Sequence, residues 1–333
     1  MAERAKGPPP WAGRAIRIGF LVLVVAAIVL TLRSQGAELR TAITRTGVAP
    51  TLGSFVAVLA GLFASAMVWR ELLADLGSRL PLRAALHVFF LGQLGKYLPG
   101  SVFAVAAQME LGRDQGVSRS RVGTASLLFM GVLTAIGLLV AAVVLPLTSP
   151  DALQQYFWVL LVLPVGLVCL APPVLTRIVA AGLRLLRRDP LERPLSGRGI
   201  GVAVAWTLAM WFAYGVHLWL LVLPQPRTGS SHLFLLCVGA YALAWTVGFL
   251  FLLAPAGALI RETVLVLAFA ALLDRPVATA VAVVSRGVMT VGDLLWGAVG
   301  GALRPGSGRK RTPSDAGVAT VTPVKQLGKA ADA

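Results

Sequence analysis

Apolar residues run along this chain in long blocks, and polar residues gather in the short stretches between them. Seven blocks meet or approach the roughly 20 apolar residues that cross about 30 Å of hydrocarbon: 14–32, 51–69, 122–146, 153–173, 200–223, 232–253 and 276–303. Two further apolar segments carry Pro and Gly inside them. One, 84–112, is broken at Lys96-Tyr97-Leu98-Pro99-Gly100, and the other, 254–273, opens with Ala254-Pro255-Ala256-Gly257. The pattern predicts an all-α, polytopic transmembrane helix bundle of roughly eight membrane-crossing or membrane-entering helices, two of its segments Pro/Gly-broken and re-entrant-like. Within 84–112, Pro99 ends the helix before it and disfavours helical geometry at Leu98, so two short helices meeting there are expected.

Composition sharpens the reading. Only 13% of the 333 residues are charged and 57% are hydrophobic, with mean hydropathy +0.81. A soluble domain carries about 25% charged residues to wet its surface, so the surface here faces lipid. The net charge of +16 does not indicate a nucleic-acid partner, because the basic residues stand between apolar blocks as orienting charges do, not on one polar face. The 174–199 loop holds Arg177, Arg184, Arg187, Arg188, Arg193 and Arg198, whereas 147–152 holds no Lys or Arg and 224–231 only Arg227. The first is therefore expected in the cytoplasm and the other two outside. Continuing the count puts both termini of a multi-pass plasma-membrane protein in the cytoplasm, if one broken segment makes a net crossing. The 254–273 segment is favoured, since Glu262 to Leu273 reads as an apolar helix. Against the rule, Arg33, Arg40 and Arg45 then lie outside. Residues 1–13 read as a cytoplasmic leader, 14–303 as the transmembrane domain and 304–333 as a disordered basic tail. The first block lacks a small-x-small cleavage site and reads as a retained span.

Candidate chemistry sits in the broken segments. Each has Pro then Gly, a short helix with an acidic residue, a charged turn, and a long span carrying a serine: Ser126 follows Gly100 by 26 residues, and Ser285 follows Gly257 by 28. The correspondence points to an internal repeat, and paired Gly/Pro-broken segments in two halves mark a transporter's substrate site. The alternative is that both are ordinary interhelical loops. Lys96, Arg261, Glu262, Arg286 and Asp293 are ionisable residues inside apolar stretches, each costly there unless paired or beside a wet cavity. Lys96, Arg261 and Arg286 together can bind an anionic head group. Pro99, Gly100, Ser101, Pro255 and Gly257 would supply the backbone breaks, and the helix starts after them a partial positive charge. The competing reading leaves these charges at the interface, snorkelling or orienting the chain. Arg286 and Asp293, seven residues apart, share one helix face about 10 Å apart along its axis. Arg261 and Glu262, about 100° apart on a helix, do not neutralise each other, which leaves Glu262 open to a second partner or a proton.

The remaining polar residues read more simply. Glu110, Arg113 and Asp114 form a solvated cytoplasmic turn, the alternative being a gating or head-group role; His217 reads as an interhelical hydrogen bond rather than a proton relay; and the tryptophans, Trp69, Trp158 and Trp219 among them, read mostly as interfacial anchors. Cys169 and Cys237 are packing residues inside apolar runs. His87, His217 and His232 lie far apart without metal-ligand spacing, so no metal or other cofactor is expected. No Asp-x-Asp pair, nucleophile elbow or phosphate-binding loop occurs, and the 33–50 loop holds a single acid, Glu38, so an enzyme is not expected.

The stretches GQLGKYLPGSVFAVAAQMELGRDQGVSRSRVGTASLL and LLAPAGALIRETVLVLAFAALLDRPVATAVAVVSRGVMTVGDLL resemble the transmembrane region of lysylphosphatidylglycerol synthases and their stand-alone, flippase-like relatives. The family's L-P-G-S-type break maps onto Leu98 to Ser101 and its following turn onto Gly116 to Ser118. Its P-x-G-x-x-x-R-E motif maps onto Pro255 to Glu262, and a later arginine onto Arg286. The second motif reads A-P-A-G-A where the family is richer in glycine. No soluble acyltransferase domain follows residue 303 in this sequence, so lipid aminoacylation is not what the resemblance implies. The expected function is binding and translocation of an anionic phospholipid or lipid-linked head group. The alternative is a non-transporting scaffold that partners an envelope lipid or glycan enzyme.

Overall fold

The computed structural model describes residues 44, 46–97, 102–148, 164, 168, 171–185, 194–225, 232–251, 257 and 259–303. The expected spans 14–32 and 153–173, the leader and the tail lie essentially outside them. Among the described residues the chain is all-helical: α1 Val48–Asp75, α2 Leu82–Gln93, α3 Val102–Asp114, α4 Arg119–Val144, α5 Pro172–Leu185, α6 Gly197–Val222, α7 Leu233–Leu250, α8 Ile260–Ala268 and α9 Arg275–Ala302. Five of them (α1, α4, α6, α7 and α9) are long and apolar enough to cross a membrane, and they match five of the seven blocks read from sequence. The protein is a multi-pass membrane bundle.

Contacts along the helices fix their directions. α1 and α6 run antiparallel: Ser54 meets His217 near one end, and Asp75 accepts from the Ser196 amide and hydroxyl at the other. α9 runs parallel to α1, since Ser285 reaches His217 while Trp296 donates to the Leu59 carbonyl. The same helix is antiparallel to α2, with His87 donating to the Gly300 carbonyl at 2.7 Å and Leu94 beside Gly297. Arg121 at the start of α4 donates to Ser78 after α1. One face of the bundle therefore gathers the end of α1 and the starts of α2, α4 and α6 with the end of α9; α7 and α9 start at the opposite face.

Two helical hairpins complete the bundle. A short 3-10 turn, Leu94–Tyr97, closes α2, and α3 folds back on it so tightly that a Cβ on Gly95 would stand 2.7 Å from the Ala104 amide nitrogen. Two short helices thus flank the Pro99 region; Leu98, Pro99, Gly100 and Ser101 themselves lie outside the described residues. The second hairpin is α7 and α8. α8 has only nine residues, about 14 Å at 1.5 Å per residue, so by itself it does not provide the crossing expected of 254–273. It returns along α7 instead, and the chain reaches α9 on the face where α7 began.

Aromatic side chains fill the centre. Trp69 and Trp211 are fully buried, and Phe90 stacks on Trp296 at 4.6 Å. The expectation that Trp69 anchors at the interface is corrected by a polar partner in the core: its indole donates to Ser126 at 3.1 Å, and Ser126 donates to Gln108 at 2.6 Å. An indole so satisfied has no need of the wet interface. Trp219, half-buried, packs edge-on against Phe234, and Trp158 lies outside the described residues.

Candidate functional site

The two hairpins and α9 meet around a cavity of about 160 Å³. From the first hairpin come Lys96 and Tyr97, from the second Gly257, Arg261 and Glu262, and from α9 Ser285, Arg286 and Asp293. The seven-residue spacing of Arg286 and Asp293 places both on the cavity wall two helical turns apart. Apolar side chains, Phe89, Phe129, Leu133 and Trp245 among them, line much of the rest.

The charges are distributed unevenly. Lys96 Nζ stands 2.7 Å from Asp293 Oδ2, which also accepts from the Tyr97 hydroxyl at 2.7 Å; Asp293 is almost wholly buried. Arg286 Nη1 donates to Glu262 Oε1 at 2.6 Å, their side chains 17% and 18% exposed. Of the three cations read from sequence, two are therefore neutralised by the two carboxylates. Arg261 is different: among the described residues no carboxylate lies within ion-pairing distance of it. Its guanidinium lies over the Trp245 ring at 5.4 Å, an attraction that strengthens where water is excluded.

Three polar atoms here are buried without a hydrogen-bond partner: Arg261 Nε, Arg286 Nε and Glu262 Oε2. Leaving such a group unmade costs about 1–3 kcal/mol, more when it is charged. The Arg286–Glu262 pair is only half the fork that arginine and carboxylate can form, with Nε and Oε2 unused.

Small residues make room for Arg261. A Cβ on Gly248 of α7 would stand 2.6 Å from its Cγ, and one on Gly257 would stand 2.9 Å from its Nε. Gly257 has φ +71° and Leu259 φ +67°, so the chain entering α8 turns through left-handed backbone. Pro255 lies outside the described residues.

The ionisable residues singled out in the sequence, Lys96, Arg261, Glu262, Arg286 and Asp293, line the cavity; Tyr97 and the Trp69–Ser126–Gln108 link were not singled out. Their signal was present, since Tyr97 is adjacent to Lys96, and Gln108 is a lone amide in an apolar stretch. His217 makes the expected interhelical contact twice, to Ser54 at 2.6 Å and to Ser285 at 2.8 Å, tying α1, α6 and α9 together. Glu110, Arg113 and Asp114 form an exposed cluster: Arg113 lies 3.2 Å from Glu110 and 3.5 Å from Asp114, and Arg119 also pairs with Glu110.

Comparison with protein families matches the lysylphosphatidylglycerol synthase TM region over residues 16–297. That stretch covers most of the chain and every charged residue of the cavity. The chain belongs to this family. The lysylphosphatidylglycerol synthase TM region thus accounts for both broken hairpins and α9, and the sequence resemblance at Leu98–Ser101 and Pro255–Glu262 reflects membership. A search of curated proteins finds no match.

Proposed function

We propose that this protein binds the phosphate of an anionic phospholipid, or of a lipid-linked head group, in the cavity and carries it across the plasma membrane. Arg261 carries the reading. An arginine inside an apolar bundle costs at least about 2.5 kcal/mol, and a charge kept there with no counter-ion among the described residues suits a ligand that brings one. The five charged groups, Lys96, Arg261 and Arg286 against Glu262 and Asp293, sum to one positive charge, the complement of one phosphodiester. Arginine suits the task because its fork is planar and permanently charged. The start of α8 adds the partial positive charge of its free amides.

The two hairpins supply a route. They enter the bundle from opposite faces and bring Lys96 and Arg261 to one cavity. In our reading they are re-entrant from the two sides of the membrane, which places the cavity between the leaflets. Arg79, Arg83, Arg113, Arg119, Arg121 and Arg198 gather at the face where α2, α4 and α6 start, and that face is cytoplasmic by the rule for basic residues. The volume admits a phosphate and a few waters but not acyl chains, which stay in lipid.

Equilibrium binding of a fluorescent short-chain phosphatidylglycerol to the purified protein tests the reading. Arg261→Ala removes a charge-assisted contact worth about 1.5–3 kcal/mol, so affinity should fall by about 10–100-fold while the protein still elutes as a folded species. Unchanged binding would show that Arg261 serves the bundle alone, as in a scaffold.

A further inference from the structure

We propose that Glu262 is a displaceable internal anion, and that phosphate binding at this site takes up one proton on its carboxylate. The inference rests on the binding reading above and adds its coupling. In the present arrangement Glu262 occupies the position on Arg286 that a ligand oxygen would take, at 2.6 Å through one of its two oxygens. The pair is poised to be broken. Glu262 Oε2 and Arg286 Nε are both buried and unpartnered, so the carboxylate is held by one hydrogen bond where the fork allows two. Arg261 and Arg286 both line the cavity, and their buried, unmade Nε–H groups need only a side-chain shift to donate to a phosphodiester oxygen. Accepting from both satisfies them and competes with Glu262 for the same guanidinium.

The displaced carboxylate then needs a partner. The other groups on the elements around it are already engaged. Asp293 is held by Lys96 and Tyr97, His217 by Ser54 and Ser285, and Tyr214 faces Ser65. Tyr241 of α7 offers a hydroxyl but no positive charge, and Arg261 beside it turns to the ligand. An ionised carboxylate left alone in a buried site is strongly disfavoured, and binding a proton removes that penalty. The exchange balances: one negative charge enters with the ligand, one proton enters with it, the Arg286–Glu262 hydrogen bond breaks, and an O–H bond forms on Glu262. The cavity keeps its single positive charge, and the phosphodiester moves with one proton.

Calorimetric titration of the purified full chain with dihexanoyl phosphatidylglycerol, in buffers of different ionisation heat, counts the protons directly. The wild type should take up close to one proton per ligand, and its affinity should rise by up to about tenfold for each unit by which pH falls. Glu262→Gln should bind more tightly than wild type at neutral pH, with no proton uptake and no pH dependence of that slope. Binding by the wild type without proton uptake would overturn the proposal, and the wild-type count decides even if the variant misfolds. Equal uptake by Glu262→Gln would overturn it too. Failure of the wild type to bind at any pH would remove the binding reading itself, a different outcome from binding without protons.

Discussion

Gly257 joins a left-handed backbone, φ +71°, to a Cβ position 2.9 Å from Arg261 Nε and 3.1 Å from the Gly248 carbonyl oxygen. A side chain there costs about 1–2 kcal/mol in backbone strain and pushes the guanidinium off Trp245. Gly257→Ala should therefore weaken phosphatidylglycerol binding by about tenfold or more, an estimate from the loss of one charge-assisted contact; fluorescence titration reads it. Lys96 and Asp293 lend themselves to a stability test. Lys96→Met leaves Asp293 buried with Tyr97 alone, and breaking such a pair costs about 3–5 kcal/mol; partial exposure of Lys96, 30%, favours the lower figure. Replacing both partners with apolar residues removes the stranded charge. Thermal melts in detergent should show Lys96→Met clearly destabilised and Lys96→Met/Asp293→Leu restored most of the way. Equal destabilisation by both would mean that the pair's attraction, rather than the stranded charge, dominates. Arg261 and Glu262 were legible as cavity residues because a charge in an apolar run must have a reason. Which cation goes unpaired was not legible, since pairing across Arg286–Glu262 and Lys96–Asp293 depends on three-dimensional register.

Among the elements, the α2–α3 hairpin depends on glycine for close approach. Gly95 touches the Ala104 backbone, and Gly92 lies against Gln108, the small-residue packing that membrane helices use in place of a hydrophobic driving force. Gly95→Ala meets backbone atoms that cannot rotate away, so it should cost about 1–3 kcal/mol as overpacking does. Gly131 in α4 has nothing within 4 Å of its Cβ position, and Gly131→Ala should be neutral or stabilise by up to about 1 kcal/mol. Melting temperatures of the two variants make the comparison; a drop for both would point away from the hairpin contact. The hairpin was readable because Pro99 forbids a straight helix, and the long spans because their length leaves no alternative. The shortness of α8 was not: Val264 to Leu273 is continuously apolar, yet α8 ends at Ala268, and Phe269 is buried in the turn that follows.

For the whole molecule, the rule for basic residues predicts that the basic face is cytoplasmic. Asp114 lies at that face at the end of α3, and Pro224 is exposed at the opposite one after α6. With Cys169 and Cys237 replaced, a membrane-impermeant maleimide on intact cells should label Pro224→Cys and spare Asp114→Cys. The reverse pattern would invert the topology. The composition made the membrane location plain; the loop arginines give only the expected direction, which the labelling experiment tests. That two hairpins from opposite faces share one cavity required the fold, because Lys96 and Arg261 are far apart in the chain and no local pattern links them.

Arg261, with no carboxylate partner among the described residues of the bundle, is proposed to serve a phosphate that crosses the membrane. Translocation of fluorescent phosphatidylglycerol in proteoliposomes, read by dithionite quenching of the outer leaflet, tests this most directly. Wild-type protein should expose the inner-leaflet lipid to quenching well above protein-free vesicles. Arg261→Ala should bring the rate down by about 10–100-fold, the kinetic equivalent of about 1.5–3 kcal/mol, and Arg261→Lys should fall between. Wild-type vesicles that quench only to the protein-free level, or Arg261→Ala vesicles that match wild type, would contradict it.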